Sequence, residues 1–241
     1  MGKAMLHTLP EWSEEIIIVA GVDLNTYSEE IPVFSDVAEV EIPFDVALDF
    51  SVPAATMKLI DYCVEHKKAV VIGTTGLNEE HLLSIKKASS FIPVFRSGNM
   101  SLGINLMQML VKQAKQTLGD RFDVEIIETH HNRKIDAPSG TAKMLVETIK
   151  SASDQSLKCV YGRKETNHRR EKDEIGIHSL RGGTITGEHE VIFLGDDESI
   201  SIKHRAFSKD VFANGAYQAV KFILEKEPGM YQMDDLLKEL L

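Results

Sequence analysis

The sequence predicts an α/β protein in which a parallel sheet is followed by a second domain with a mixed α+β sheet. In the first hundred residues, short β-branched runs alternate with helical patterns of roughly 10 to 15 residues, as in right-handed βαβ units. Beyond residue 101, long helices and strands of alternating hydrophobicity follow. We therefore expect one domain at residues 1–100, completed by residues 212–241, and another at residues 101–211.

The first domain is predicted to be a succession of βαβ units. Its strands are expected at residues 15–23, 31–34, 45–50, 69–73 and 92–95. The run AVVIG at 69–73 is apolar throughout, which is typical of a parallel strand buried on both faces. Pro53 favours the start of a helix that reaches about residue 66, and the turn GTTG at 73–76 leads into a helix that ends at Ala88.

The second domain is predicted to combine helices with an antiparallel meander. Apolar residues at helical spacing predict a helix at residues 102–118, and a strand at 123–130 precedes a loop and a helix at 139–151. Three runs of alternating hydrophobicity, joined by glycine turns, are interpreted as the meander, at residues 175–180, 185–194 and 199–205. A last helix at 212–226 is expected to return to the first domain.

Composition and charge exclude several classes of function. Of the 241 residues, 43% are hydrophobic and 27% are charged, so we expect a packed core rather than disorder. The net charge of −10 argues against nucleic-acid and anionic-membrane partners, which are bound through cations. No stretch approaches the roughly 18 apolar residues of a membrane span, and no signal pattern opens the chain. With only Cys63 and Cys159, no disulfide framework and no zinc site are expected, so we predict a cytoplasmic protein.

The segment EIIETHHNRKIDAPSGT, at residues 125–141, carries the main chemical signal. A predicted strand ends at His130 and His131, a cationic loop containing Lys134 follows, and residues 139–141 open a helix. Free N–H groups at the start of a helix bind carboxylates, and an imidazole with a pKa near neutrality can donate or accept a proton. Together these features predict a pocket for a small anionic substrate that requires protonation.

Each of these features, taken alone, also fits a structural role. A histidine at a strand end is more often a surface or core residue, and neighbouring residues on a strand face opposite ways. Pro-Ser-Gly-Thr is also an ordinary helix opening. A metal site is disfavoured because no third or fourth ligand stands at a useful spacing, and Ser139 lacks the surroundings of an acyl nucleophile.

The whole segment resembles the signature E-x-H-H-x-x-K-x-D-A-P-S-G-T-A of the dihydrodipicolinate reductase (4-hydroxy-tetrahydrodipicolinate reductase) family. The matching residues are Glu128, His130, His131, Lys134, Asp136, Ala137, Pro138, Ser139, Gly140, Thr141 and Ala142. Further similarity follows in the family's order at residues 49–51 (DFS), 72–76 (IGTTG), 99–105 (NMSLGIN), 187–189 (GEH) and 212–216 (FANGA). The resemblance covers the chain from about Val22 onward.

This resemblance implies reduction of a cyclic unsaturated dicarboxylate to tetrahydrodipicolinate, with hydride from NADH or NADPH, on the route to diaminopimelate and lysine. It also implies a Rossmann-like domain followed by a substrate domain whose open sheet assembles homotetramers. His130 would be the acid/base residue and Lys134 a proton donor, while substrate carboxylate would bind His131, Gly140 and Thr141. The cofactor would bind Gly73, Thr74, Thr75, Ser97, Gly98, Asn99 and Met100.

Asp23 and Met1 are the remaining predicted cofactor contacts. Asp23 closes a predicted strand at the position where an acid accepts hydrogen bonds from the adenosine ribose. Because Leu24 stands where NADP-using members often carry arginine, we expect a preference for NADH, or use of both cofactors. Residues 1–3 (MGK) resemble the end of the family's glycine-rich loop, which lies roughly 20 residues before the ribose acid.

On this alignment the first strand of the family's sheet would fall before Met1. Two interpretations stay open: the chain starts at an internal methionine, or the deletion is real and weakens cofactor binding. In the second case the chain would be a catalytically weak or inactive relative that acts in ligand binding or assembly. The reductase is the leading hypothesis because the downstream motif is intact.

Overall fold

The computed structural model describes residues 1–25, 30–164 and 169–240, which form two compact units. Unit 1 comprises residues 1–102 and 210–241, and unit 2 comprises residues 103–209. The helices are Gly2–Thr8 (α1), Pro53–His66 (α2), Glu79–Ala88 (α3), Leu102–Leu118 (α4), Gly140–Ser151 (α5), Asp210–Leu224 (α6) and Met233–Leu240 (α7). The strands are Gly21–Val22 (β1), Val33–Phe34 (β2), Val46–Asp49 (β3), Ala69–Ile72 (β4), Pro93–Arg96 (β5), Asp123–His130 (β6), Lys158–Tyr161 (β7), Glu174–Arg181 (β8), Gly187–Leu194 (β9), Ser199–Ala206 (β10) and Gly229–Tyr231 (β11).

Unit 1 contains a parallel sheet with helices on both faces. The strand order is β11-β5-β4-β3, and β1 and β2 pair separately as a parallel ribbon. Val70 and Ile72 pack with buried residues of α2 and α3, whereas Val71 packs with those of α1, α6 and α7. This burial on both faces explains why β4 is apolar over its whole length. Among the described strands, none pairs with both β1 and β3.

The predicted strand at residues 15–23 is wrong over most of its length. Only β1 forms a ladder there, and it does so over two pairs with β2, Gly21 with Val33 and Val22 with Phe34. Ile16 and Ile18 are partly buried against the core of unit 1, so hydrophobic contact accounts for the apolar run. An apolar pattern reports burial, whereas a strand also requires a neighbouring strand to receive its hydrogen bonds.

Unit 2 is a five-stranded mixed sheet in the order β10-β9-β6-β8-β7. The predicted antiparallel meander is wrong for its first strand, because β8 lies parallel to β6 and not beside β9. Strand β6 occupies the centre instead, and the glycine turn after β8 carries the chain past it. Only β9 and β10 form the expected hairpin.

One face of this sheet is covered by α4 and α5. Side chains from both helices and from β6, β8 and β9 form one continuous hydrophobic cluster, which includes Val111, Leu145, Ile126, Ile177 and Phe193. The other face carries alternate residues of the same strands, so β6 has one side chain in the core and the next on the open side. Within the described part of the chain, no helix has both the length and the hydrophobicity needed to span a membrane.

Candidate active site

Strand β6 brings polar side chains into the covered face of unit 2. The alternation that buries Val124 and Ile126 also buries the next two residues on the same face, Glu128 and His130. Glu128 is fully buried and His130 is 7% exposed. A buried carboxylate and imidazole require hydrogen-bond partners, since burial of an unpaired polar group is costly.

The carboxylate of Glu128 is satisfied on both oxygens. Arg181, at the end of β8, donates to it through both terminal nitrogens, at 2.9 Å to Oε2 and 2.8 Å to Oε1. His130 Nδ1 lies 2.5 Å from Oε2, and the backbone N–H of Ser139 donates to Oε1 at 3.3 Å. Burial opposes ionisation, but hydrogen bonds from Arg181, Ser179 and His130 outweigh it and lower the pKa of Glu128 to about 2.

His130 is the predicted acid/base residue. Glu128 binds its ring through Nδ1. Burial lowers the pKa of His130 below that of free imidazole, Glu128 opposes this shift, and Lys134 and Arg181 reinforce it. On the other side of the ring, a Cβ added at Gly187 would lie 3.1 Å from Nε2. Glycine at this position therefore lets the His130 ring pack directly against the backbone of β9.

Ser139 links the end of β6 to the start of α5. Its hydroxyl oxygen accepts the N–H of Ala142 at 3.1 Å and so caps the helix. The same hydroxyl lies 2.9 Å from His189 Nε2 on β9. Because the first N–H groups of a helix have no partner within it, this opening presents donors to an anion, and the N–H of Gly140 has no partner among the described residues.

Lys134 and His131 lie in the loop between β6 and α5. The Lys134 ammonium pairs with Asp136 at 2.8 Å, and its side chain is 22% exposed. It lies close enough to His130 and His189 to lower the pKa of both. The N–H of His131 donates to the carbonyl of Ile185 at 2.8 Å, and its Nδ1 is buried with no partner within the described structure.

His189 is 4% exposed and lies edge-on to His130, with ring centroids 5.1 Å apart. Burial, reinforced by the charges of His130, His204 and Lys134, lowers its pKa to about 4, although Glu128 opposes the shift. His189 is therefore neutral near physiological pH and bonds Ser139 as a neutral ring.

The low pKa of His189 predicts acid-sensitive folding. Unfolded His189 takes up a proton below pH about 6.5 while the folded ring stays neutral down to about 4, so stability is complete above that window and falls as the pH drops through it. We expect a loss on the order of 2–3 kcal/mol between pH about 7 and about 4.5, measured by urea unfolding. His189→Gln, which does not titrate, should show a smaller loss, and an equal loss would contradict the prediction.

The predicted cofactor residues of unit 1 follow the carboxyl ends of β3, β4 and β5. Asp49, which is 4% exposed, accepts hydrogen bonds from Thr56 at 2.6 Å and from Thr74 at 2.9 Å. The Thr74 hydroxyl in turn accepts the N–H of Ser51 at 2.8 Å, which ties the loops after β3 and β4 together. Adjacent parallel strands thus present their loops at one sheet edge, where open α/β sheets bind ligands.

The loop after β4 begins at a glycine that packs tightly against Phe50. A Cβ at Gly73 would lie 2.3 Å from the ring of Phe50, so only glycine fits there. Thr75 and Gly76 are exposed, and their N–H groups bond no described residue. The Thr74 hydroxyl, in contrast, is held inside unit 1, so any contact it makes with a cofactor would come from its backbone.

The loop after β5 is organised by its own hydrogen bonds. Ser97 Oγ donates to the carbonyl of Asn99 at 2.7 Å, and Asn99 Oδ1 accepts the N–H of Ser101 at 2.9 Å. Gly98 is exposed between them. Met100 is 2% exposed and packs in the core, so it could reach a ligand only through its backbone.

Asp23 and Met1 lie elsewhere in unit 1. Asp23 follows β1 and accepts the N–H of Asn25 at 2.9 Å, and its neighbour Leu24 is 98% exposed. Met1 is exposed and stands at the start of α1, where its carbonyl accepts the N–H groups of Ala4 and Met5. Residues 26–29 lie outside the described structure.

Three side chains that hold the unit 2 site were not assigned a role from the sequence. Glu128 stands two positions before His130, and the two-residue period of a strand places both on one face. The sequence alone could therefore have predicted that these two side chains lie together. Arg181 reaches the site through the register of β8 against β6, where it lies opposite His130. No sequence pattern indicates that pairing, nor the contact of His189 with Ser139.

The fold and the comparisons with known proteins define a class of protein, a two-domain oxidoreductase that uses a nicotinamide dinucleotide. A family model described as the N-terminus of dihydrodipicolinate reductase matches residues 1–100, and one described as its C-terminus matches residues 103–237. The chain belongs to the dihydrodipicolinate reductase family.

Individual relatives align with nearly the whole chain. A 4-hydroxy-tetrahydrodipicolinate reductase of Caldanaerobacter subterraneus subsp. tengcongensis is 48% identical over 239 residues, which is 99% of this chain and 94% of the relative. The enzyme of the same name from Clostridium tetani is 46% identical over 98% of this chain and 92% of its own length. A dipicolinate-bound dihydrodipicolinate reductase from Paenisporosarcina sp. TG-14 aligns with a TM-score of 0.78 and 25% identity over 96% of this chain and 92% of that one.

Proposed function

We propose that this protein reduces 4-hydroxy-tetrahydrodipicolinate to tetrahydrodipicolinate with NAD(P)H, in the biosynthesis of diaminopimelate and lysine. The observation that carries the proposal is the Glu128 carboxylate of unit 2, which contacts both His130 and the N–H of Ser139 at the start of α5. A proton-transfer group and an opening for anions are thereby held together. The names of the relatives supply the substrate that fits this pair.

The reaction balances with one hydride and one proton. The substrate loses its hydroxyl as water, which leaves a conjugated C=C–C=N ring that carries two carboxylates. A nicotinamide dinucleotide, when bound to unit 1, would supply the hydride for this ring. The sum of substrate, NAD(P)H and H⁺ then gives tetrahydrodipicolinate, NAD(P)⁺ and water, so the protein must hold the dianion and deliver a proton.

Unit 2 is proposed to bind the dicarboxylate substrate. One substrate carboxylate is proposed to accept the N–H groups of Gly140 and Thr141 at the start of α5, assisted by His131. Gly140 is exposed and has no side chain, so a carboxylate can approach its N–H closely. The Ser139 cap and its contact with His189 keep this opening rigid before substrate arrives.

The proton is proposed to come from the end of β6 and from the loop that follows it. As hydride adds to the ring, negative charge develops at a ring carbon or nitrogen, and a positioned acid lowers the barrier by neutralising it. His130 is the acid/base residue in this proposal, and it would exchange its proton through Nε2, the ring nitrogen that does not contact Glu128. Lys134 is a proton donor to the substrate, and its charge also attracts the dianion.

Unit 1 is proposed to bind the cofactor at the carboxyl edge of its sheet. The fit rests on the exposed N–H groups of Thr75 and Gly76, which follow Gly73 in the loop after β4. With Thr74, Ser97, Gly98, Asn99 and Met100, these would line the nicotinamide side, while Asp23 and Met1 would lie towards the adenosine half. Asp49 holds the two loops in register through Ser51 and Thr74.

We expect kcat/KM with NADH to equal or exceed kcat/KM with NADPH. Asp23 would repel a 2′-phosphate, and the residues that follow it, LNTYSEE, contain no cation to receive one. Leu24→Arg should raise kcat/KM for NADPH by roughly tenfold, as one charge-assisted contact is worth about 1.5 kcal/mol. A large NADPH advantage in the unaltered protein would contradict the prediction.

The open face of the unit 2 sheet is proposed to assemble a homotetramer of a cytoplasmic enzyme. Ile127 and Ile192 lie on that face partly exposed, and Leu194 is 41% exposed. These side chains lie among charged ones, with Ile127 opposite Glu190 and Ile192 opposite Glu125, and exposed apolar groups surrounded by polar residues favour contact with a second copy. Light scattering on the purified chain measures the mass directly.

A coupled assay tests the proposed function. Aspartate semialdehyde, pyruvate and the preceding synthase generate the substrate, and loss of NADH absorbance reports its reduction. We expect NADH oxidation that depends on all three components. A chain that forms oligomers yet leaves NADH unoxidised would overturn the proposal in favour of a ligand-binding relative.

A further inference from the structure

We propose that Glu128 and Arg181 are positioning residues for His130. The carboxylate fixes which ring nitrogen of His130 carries a proton and turns the other nitrogen towards the substrate, while the guanidinium holds the carboxylate in place. This inference rests on the proposed acid/base role of His130, and it adds two side chains to the site that are not assigned to binding or proton transfer.

The tautomer follows from the chemistry of the contact. An ionised carboxylate only accepts hydrogen bonds, so the 2.5 Å contact with Glu128 Oε2 requires His130 Nδ1 to be the donor. Nε2 of the neutral ring then carries the lone pair, and the imidazolium donates its second proton from Nε2. The exchangeable proton is therefore on the nitrogen that does not contact Glu128, next to Gly187, where a Cβ would come within 3.1 Å of Nε2.

Arg181 makes a charged Glu128 compatible with complete burial. Its two terminal nitrogens take one carboxylate oxygen each, and they also donate to the carbonyls of Leu180 at 2.7 Å and Asp136 at 2.6 Å. The guanidinium is therefore anchored to the backbone on two sides. A planar fork with four hydrogen bonds holds the carboxylate in a single orientation.

Glu128 also sets the position of the anion-binding helix relative to the ring. Its Oε1 accepts the N–H of Ser139, the capping residue of α5, while its Oε2 contacts His130. The same carboxylate therefore determines the spacing between the proton-transfer group and the first N–H groups of α5. Loss of this link should impair the chemical step more than the binding of substrate or cofactor.

The test is Glu128→Gln, read by both NMR and kinetics. Ring ¹⁵N shifts of His130 report its tautomer without substrate, and we expect the Nδ1–H form in the unaltered protein and a mixture in the variant. We expect kcat to fall by about 100-fold with less than threefold change in KM for NADH. Because Glu128 opposes the low pKa of His130, the limb of the pH–rate profile set by this ring should also move to lower pH.

Two further variants keep the test decisive. Glu128→Gln/Arg181→Gln removes the unpaired guanidinium that the single change leaves buried, and it should show the same tautomer mixture and loss of kcat. Asp120→Asn is the matched control, since it removes a carboxylate that lies 2.8 Å from the buried Lys115 of unit 2, away from the site. It should leave the tautomer and kcat unchanged.

The outcomes separate this inference from the proposed function. An unchanged His130 tautomer in both Glu128 variants would overturn the inference. A changed tautomer with unchanged kcat would overturn the acid/base role of His130 and, with it, the catalytic purpose of the pair. An unaltered protein that fails to oxidise NADH would overturn the proposed function alone, because the ring shifts still report whether Glu128 positions His130.

Discussion

Replacing His130 with glutamine lowers kcat for NADH oxidation by about 100- to 10,000-fold, the range that loss of a general acid/base residue commonly produces. Glutamine keeps a polar side chain next to Glu128 but cannot exchange a proton near neutral pH. The KM for NADH should change little because the predicted cofactor loops belong to unit 1. Steady-state kinetics across pH give both values.

The same variant should alter the pH profile. His130 titrates below the usual range of imidazole because burial and the nearby cations outweigh Glu128. The dependence of kcat on pH in that acidic range should therefore flatten in His130→Gln. His66→Gln, an exposed histidine on α2 that bonds a backbone carbonyl, is the control and should keep the full profile. Equal kcat in the two variants would remove His130 from the mechanism.

Replacing Lys134 with methionine lowers kcat by about 100-fold or more and raises the KM for the dicarboxylate substrate. The ammonium is both a proton donor and a charge that stabilises the dianion, so its removal affects the chemical step and binding together. Methionine keeps the length of the side chain, and the partner Asp136 is largely exposed to solvent, which limits the cost to folding.

Lys134→Arg separates the two contributions. Arginine keeps the positive charge but releases a proton far less readily, so KM should stay near its original value while kcat remains low. Lys112→Met changes an exposed lysine on α4 of the same unit and should leave kcat and KM unchanged. Recovery of full kcat in Lys134→Arg would mean that the charge alone matters and that the proton comes from elsewhere.

The sequence predicted the frame of the unit 2 site well. β6 and α5 were expected at residues 123–130 and 139–151, and they lie at Asp123–His130 and Gly140–Ser151. Strand alternation and a serine cap are local signals, so they are readable without the fold. The proposed roles of His130, Lys134, His131, Gly140 and Thr141 remain predictions.

The partners of these residues depend on sheet topology, which local patterns do not encode. Arg181 lies 51 positions beyond His130 in the chain and opposes it only because β8 pairs in parallel with β6. The expected meander would have placed β8 beside β9, away from Glu128. Similarly, the contact between His189 and Ser139 follows from the register of β9 against β6, in which His189 lies opposite Glu128.

The start of unit 1 was the least predictable part of the fold. Residues 15–20 have the composition of a strand but form none, because their apolar side chains pack on the core without a ladder. Helix α1, with only seven residues and no side-chain cap, carries too weak a local signal to be recognised. Strand β11, near the end of the chain, has only three residues and depends on its pairing with β5.

A crystal structure of the protein with dipicolinate, an aromatic dicarboxylate that resists reduction, tests the central proposal most directly. We expect one carboxylate at about 2.7–3.2 Å from the N–H groups of Gly140 and Thr141, with His130 Nε2 and Lys134 Nζ facing the ring. A dicarboxylate bound away from the start of α5, or a His130 ring turned with Nε2 towards Glu128, would contradict the account.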